Sequence, residues 1–207
     1  MQELILIILA YLIGSIPTAV WVSKYFFNID IRNYGSGNAG ATNTFRVLGK
    51  KAGMFVFLVD CVKGFIAVDL AYFMVKYQFS NEALTNFQVI LGIAAVVGHV
   101  FPIWANFKGG KGIATLFGMI LAIQPTVAGS LIVVFFIMLF LTRYVSLSSI
   151  TASVAFPILI FFIFKEHEIM YRVFALVTAI MVVLTHHKNI GRLLQGNESK
   201  IPLFGKK

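Results

Sequence analysis

GSGNAGATNTFRVLGKKAG, Gly35 to Gly53, is a polar, glycine-rich and cationic island in a chain otherwise suited to lipid. An apolar run lies on each side of it, Leu4 to Phe27 before and Met54 to Tyr77 after. Each run is long enough to cross about 30 Å of hydrocarbon at about 1.5 Å rise per residue. The stretch therefore reads as a loop between two membrane spans.

Composition agrees. Of 207 residues 59% are hydrophobic and only 12% charged, with 21 Phe, which excludes an ordinary soluble domain. The fold class expected is all-α, a polytopic membrane protein of one domain, residues 1–207. Seventeen Lys and Arg stand against eight Asp and Glu, an excess that in membrane proteins gathers at the cytoplasmic surface. Cys61 is the only cysteine, so neither an intrachain disulfide nor a thiolate zinc cluster can form. The N-terminus has no basic n-region and no small-residue cleavage site, so the first run is expected to be a retained span.

Gly14, Ser15 and Pro17 interrupt the first span with residues that let a neighbouring helix approach closely. The second carries Asp60, Lys63 and Asp69. Asp60 and Lys63 stand at i, i+3 on one helical face, and a structural ion pair is preferred there over a catalytic role. Asn86 to Asn106 is a third span, with His99 and Pro102, ending in FKGGKG (Phe107 to Gly112). Gln124-Pro125 divides the next apolar stretch into a short fourth span, Gly112 to Ile123, and a fifth, Pro125 to Thr142. Val145 to Phe164 is the sixth and Ile169 to Thr185 the seventh, before a polar tail from His186.

With the N-terminus outside, the inner face collects Lys24, Arg32, Arg46, Lys50, Lys51, Lys108, Lys111, Arg143, Lys188, Arg192, Lys200, Lys206 and Lys207. The outer face keeps Lys76, Lys165 and Arg172 beside Glu3, Glu82, Glu166 and Glu168. That asymmetry favours seven transmembrane helices, N-terminus outside and C-terminus inside. A five-span arrangement, with the fourth segment and one neighbour dipping in and out, keeps the same loops inside. Either way GSGNAGATNTFR, FKGGKG, SLSS and HHKN all fall on the inner side.

Glycine-rich backbone can take positive φ and turn successive N–H groups inward as a nest for phosphate oxygens. GSGNAG, with Gly37 and Gly40, and KGGKG, with Gly109 and Gly110, both suit such a nest. Arg46 can grip a phosphate with two parallel bonds, and Lys111 adds a compact, mobile charge. The bland alternative is tight interfacial turns with cations anchored to head groups. FKGGKGIAT lacks the GxxxxGK[ST] spacing, so nucleotide hydrolysis is not indicated. Ser146, Ser148 and Ser149 suit helix capping as well as ligand binding. His186 and Asn189 would share a face if the seventh helix ran on by a turn, and His186 could act as base, donor or helix-end cation. His187 would face elsewhere, onto the surface.

No HxxxxD, HExxH or GxSxG occurs, and no pair of inner acids is present to hold Mg²⁺, Asp30 being the one acid near the first inner loop. No metal and no cofactor is expected, no nucleic acid and no obligatory protein partner. A transporter of an organic phosphate or anion is the competing class, since cationic glycine loops among broken helices suit transport. Clustering of every polar motif on one side argues against it. A lipid-binding scaffold leaves the Ser, Thr and Asn of the first loop unexplained.

SGNAGATN with Arg46, GHVFPIWANFKGGKGIAT, RYVSLSSI and HxxNIxRL, together with GSIPTA in the first span, resemble the motifs of the bacterial membrane acyl-phosphate:glycerol-3-phosphate acyltransferases, the PlsY family. The resemblance covers essentially the whole chain in order and spacing. It implies a seven-helix enzyme of the bacterial inner membrane with its site at the cytoplasmic interface. The enzyme would move an acyl chain from acyl phosphate to the sn-1 hydroxyl of glycerol 3-phosphate, giving lysophosphatidic acid and phosphate, among membrane lipids. By position in the motifs, Ser36, Asn38, Thr42, Asn43, Arg46, Lys111, Ser149, His186 and Asn189 would be the site residues. One departure lies in the tail, where Thr185-His186-His187-Lys188 stands in place of the more usual Arg-His-Arg-Glu.

Overall fold

The structure, a computed structural model, describes residues 1–75 and 80–201. Tyr77, the expected end of the second span, and Lys76, Lys206 and Lys207 of the charge asymmetry lie outside the described residues. The fold is all-helical among the described residues and forms two compact units, Met1–Ile123 and Gln124–Lys207.

In the first unit the interrupted first span becomes two helices, α1 (Gln2–Gly14) and α2 (Thr18–Phe27). The break falls where Pro17 has no N–H to give and Ser15 closes α1 by donating to the Tyr11 carbonyl at 2.8 Å. α3 (Ala41–Leu48) follows the polar loop, and Gly49, at φ 88°, separates it from α4 (Lys50–Asp69). α4 starts at Lys50, ahead of the expected Met54, because nothing in Lys50-Lys51 opposes helix once Gly49 has turned the chain. After the single turn of α5 (Tyr72–Val75), Ser80 accepts from the Ala83 N–H at 3.1 Å and caps α6 (Asn81–Val100). This Ser cap puts the helix start five residues before the expected Asn86. α7 (Ile113–Ile123) is eleven residues long.

α1 packs on α6 and α4 on α7 with almost no side chain between them. A Cβ at Gly64 would fall onto the Thr115 carbonyl, and one at Gly118 onto the Cys61 carbonyl. Such close approach is how helices associate where hydrocarbon supplies no hydrophobic drive. Apolar packing adds one cluster of Ala10, Ala67, Ala71, Met74, Phe87, Leu91 and Ala95 and a second of Ala19, Val20, Val22, Ile31, Ala39 and Val56. Asp60 and Lys63 pair as expected, at 2.8 Å, with side chains 2% and 4% exposed.

In the second unit Pro125 opens α8 (Pro125–Thr142) at a position whose N–H has no intrahelical partner anyway. Arg143, at φ 64°, turns the chain into α9 (Val145–Ile158), which contains Pro157 and widens into a π-helical turn, Leu159–Ile163. α10 (Ile169–Thr185) packs on α9 through Phe156, Tyr171 and Phe174, whose ring centroids lie 5.7–6.0 Å apart. α11 (His187–Leu194) leaves α10 at a bend of 59°.

Four segments are long and apolar enough to cross a membrane: Gln2–Phe27, Asn81–Ala105, Pro125–Thr142 and Val145–Ile163. Ile169–Thr185 with His187–Leu194 makes a fifth if the bent pair is one span. α4 is long enough but holds Asp60 and Lys63 at its centre, and α7 is short. Large apolar side chains on the outer faces, such as Phe136, Phe140, Leu141 and Phe162, are 59–73% exposed. An array of that kind suits lipid and not water.

Candidate active site

The first polar loop is built around two residues. Asp30 accepts from the Arg32 backbone N–H at 3.1 Å and from Arg32 Nε and Nη2 at 2.9 and 2.6 Å, with Lys24 Nζ at 3.3 Å. The Arg32 guanidinium holds the Asp30 carboxyl well below the usual carboxylate range and is itself pushed up by it. Arg32 Nη1 also donates to the Ala105 carbonyl at 3.0 Å, tying this turn to the segment that precedes FKGGKG. Asn43, on α3 and 1% exposed, braces the rest. Its Nδ2 donates to the Ile31 and Tyr34 carbonyls at 3.2 and 2.9 Å, and its Oδ1 accepts from the Ser36 N–H at 2.9 Å.

That brace shapes the turn. Gly35 and Gly37 have φ of 60° and 73°, and a Cβ on Gly35 would collide with Asn43 Oδ1. The Ser36 and Gly37 N–H groups, however, are taken by Asn43 Oδ1 and the Tyr34 carbonyl at 2.9 and 3.0 Å, so the turn does not hold them open as the expected cradle. Gly40, at φ −137°, is extended and serves as the start of α3, with no side-chain cap. The first amides of α3 at Ala41 and Thr42 therefore have no intrahelical partner. Thr42 and Arg46, four residues apart on α3, are both exposed, as is Ser36, while Asn38 is half-buried.

The second loop departs from expectation. Gly109 and Gly110 do not have positive φ, and their N–H groups donate to the Val100 and His99 carbonyls at 3.1 and 3.2 Å. They form no phosphate nest, because those amides pair with the end of α6. Glycine is needed there for room instead. A Cβ on Gly109 would fall onto the His99 carbonyl, and one on Gly110 onto His99 Nε2, with the Ala39 carbonyl 3.1 Å away. The two loops thus lie against each other, and Asn106 and Phe107, both left-handed at φ 54° and 57°, turn the chain into the second. Lys108 is exposed and Lys111 half-buried. Between the loops opens a cleft of about 480 Å³ lined by Asp30, Arg32, Asn33, Gly37, Asn106, Lys108 and Gly109.

In the second unit the serines are not helix caps. Tyr144 occupies the N-cap of α9 without a side-chain bond, and Ser148 and Ser149 Oγ donate back to the Tyr144 and Val145 carbonyls at 2.9 and 3.0 Å. Nor does α10 run on past Thr185: His186 sits at the bend and Asn189 on α11, so the shared face of one continuous helix is not formed. His186 is 3% exposed, and its Nδ1 lies 2.8 Å from the Val182 carbonyl. A carbonyl can only accept, so Nδ1 carries the hydrogen and Nε2 is the basic nitrogen of the neutral ring. His187 is exposed, as expected.

Glu198 is the residue that sequence reasoning missed. It is 8% exposed and accepts from Ser146 Oγ at 2.9 Å, Asn189 Nδ2 at 2.7 Å and Arg192 Nε at 2.6 Å. Burial opposes its ionisation, but the bonds from Arg192, Asn189 and Ser146 outweigh that and hold its carboxyl below the usual range. The one sequence signal was an acid set in a basic tail.

The family described as glycerol-3-phosphate acyltransferase matches residues 4–196. The glycerol-3-phosphate acyltransferase of Macrococcus caseolyticus (strain JCSC5402) is 45% identical over 202 residues, 97% of this chain and 98% of that protein. That of Streptococcus pneumoniae (strain Taiwan19F-14) is 41% identical over 98% of this chain and 94% of its own length. Among solved structures, the chain is similar to the glycerol 3-phosphate form of PlsY (YgiH), an integral membrane glycerol 3-phosphate acyltransferase, at 38% identity and a TM-score of 0.87, covering 98% of this chain and 96% of that one. The lysophosphatidic acid form matches at 36% and 0.83, over the same shares of the two chains. With matches of this extent in both sequence and fold, the chain belongs to the glycerol-3-phosphate acyltransferase family.

Proposed function

We propose that this chain transfers an acyl group from acyl phosphate to the sn-1 hydroxyl of glycerol 3-phosphate, giving lysophosphatidic acid and inorganic phosphate. The carrying observation is the family match over residues 4–196, joined to solved relatives in glycerol 3-phosphate and lysophosphatidic acid forms. The chain works as a single acyltransferase in the bacterial inner membrane. Seven crossings, with the N-terminus outside, put its polar loops at the cytoplasmic face, where a water-borne and a lipid-borne substrate can meet.

Acyl phosphate is a mixed anhydride whose leaving group is stable as an anion, so the transfer needs no strong acid. Alignment of two anions and neutralisation of their charge do most of the work. In the first unit Arg46, exposed on α3 beside Thr42, and Lys111 meet phosphate oxygens, with Ser36, Gly37, Asn38 and the open amides behind Gly40 supporting them. Asn43 keeps that loop in shape, and Gly109 and Gly110 seat Lys111. In the second unit Ser149, His186 and Asn189 serve the reaction, Asn189 being oriented by Glu198. The hydroxyl proton goes to His186 Nε2 or to the departing phosphate. His186→Gln separates the two: near-normal turnover in folded protein leaves phosphate as the acceptor.

The test is purified protein with glycerol 3-phosphate and palmitoyl phosphate, following phosphate and lysophosphatidate. Release that needs both substrates is expected. Activity with acyl-CoA and none with acyl phosphate would overturn the donor, and uptake into proteoliposomes without acylation would overturn the enzyme reading.

A further inference from the structure

The buried charges of the first unit have no part in the transfer chemistry above, yet they lie beside the loop that carries Lys111. Asp60 is 1% exposed and accepts from Lys63 Nζ at 2.8 Å and Thr18 Oγ1 at 3.0 Å. Lys63 Nζ also donates to the Ile16 carbonyl at 3.0 Å, in the break between α1 and α2. Both ions are thus fixed from two sides. His99, near the C-terminal end of α6 and 6% exposed, brings Nδ1 to 3.7 Å from Asp60 Oδ1. That is longer than a hydrogen bond, and Nδ1 has no hydrogen-bond partner among the described residues.

The far edge of the same ring meets the second loop. A Cβ on Gly110 would overlap His99 Nε2, so the ring occupies the place a side chain at residue 110 would need. The His99 carbonyl accepts the Gly110 N–H at 3.2 Å, and the next carbonyl, Val100, takes that of Gly109 at 3.1 Å. Backbone and ring of one residue therefore both set where Gly110 lies, and Lys111 follows directly. A buried ion pair is a weak device for stability, since two apolar residues of similar volume often serve as well. Here the pair stands behind a ring that stands behind a loop.

We infer that His99 is a positioning residue for acyl transfer: its ring, backed by the Asp60–Lys63 pair, sets the seat of Gly109–Lys111 and so the place of the Lys111 charge. This rests on the acyl-transfer reading above. A misplacement of about 1 Å in a substrate-positioning group can lower rate on the order of 100-fold.

The experiment is a double-mutant cycle on purified full-length protein, with palmitoyl phosphate and glycerol 3-phosphate as substrates and helical circular dichroism as the check on folding. His99→Ala and Gly110→Ala are each expected to lower kcat/KM by about tenfold or more, with the double variant little worse than either, because both act on one seat. His99→Gln is expected to recover part of the loss and carries the test should His99→Ala not fold. A folded His99→Ala within twofold of wild type would overturn the inference, as would losses that multiply in the double variant or, where His99→Ala does not fold, a His99→Gln variant that turns over at the wild-type rate. No turnover in wild type would overturn the acyl-transfer reading and this inference with it.

Discussion

Asn43 and Arg46 are three residues apart on one short helix and take opposite parts. Arg46 is exposed beside the open amides of α3, whereas Asn43 is buried with both ends of its amide engaged inside the loop. Arg46→Ala is expected to lower kcat/KM about 100-fold or more, the scale of losing one donor from a preorganised site, with the melting temperature unchanged. Asn43→Asp should lower both, because a carboxylate would face the Ile31 and Tyr34 carbonyls, at a cost of about 1–3 kcal/mol per unsatisfied buried group. Turnover and a thermal melt separate the two cases. Asp30 gives a pH test. Its folded pKa is depressed, so its bond to Arg32 contributes stability above the unfolded value of about 4 and loses it as pH falls toward the folded value. Asp30→Asn should therefore melt below wild type at pH 7, with the gap closing as the pH is lowered through 4. At this scale the sequence showed residue types well and partners poorly. Arg46 and Lys111 were legible as cations among glycines, but Glu198 bonds Ser146 from 52 residues away, and no local pattern announces that.

Helix ends marked by a backbone rule were readable: Pro125 opens α8, and α10 closes at Thr185 where the apolar run stops. α6 was not, because its first turn, Asn81-Glu82, is polar and only the Ser80 cap marks it. The glycines of KGGKG were misread for a related reason. Composition cannot distinguish a glycine that supplies positive φ from one that makes room, and Gly109 and Gly110 make room. The helix glycines divide the same way. Gly118→Val would drive a branched side chain into the Cys61 carbonyl and part α4 from α7, so little folded protein should be recovered from detergent. Gly129, exposed in α8, has nothing within 4 Å of the place a Cβ would take. Gly129→Ala is expected to fold and to gain up to about 1 kcal/mol from helix propensity, read as a raised melting temperature. If both variants behaved alike, close backbone packing would not be what joins α4 to α7.

For the whole chain, hydropathy showed a polytopic helical membrane protein, but length and apolarity alone mark only four spans, or five with the bent pair. α4 fails because Lys51 or Asp69 adds a third charge to the central Asp60 and Lys63 in any stretch long enough to cross, and α7 because eleven residues at about 1.5 Å each fall well short of about 30 Å. Seven and five crossings place the loops before α4, after α6 and after α8 on the same side, so labelling those loops cannot decide between them. Gln124 can. Its Nε2 donates to Glu166 Oε2 at 3.4 Å, which joins the start of α8 to the turn that follows α9. α8 and α9 are thus an antiparallel pair with Gln124 and Glu166 at one end, and α8, at 18 apolar residues, is long enough to cross. On the proposed orientation, with Arg143 inside, Gln124 and Glu166 both belong outside and α7 is a crossing. In a Cys61→Ala background, single cysteines at Gln124 and Glu168 should react with an impermeant maleimide in spheroplasts, while cysteines at Lys50 and Lys188 should react only after lysis. Protection of Gln124→Cys and Glu168→Cys alike would mean that α7 dips back and that the seven-crossing arrangement is wrong.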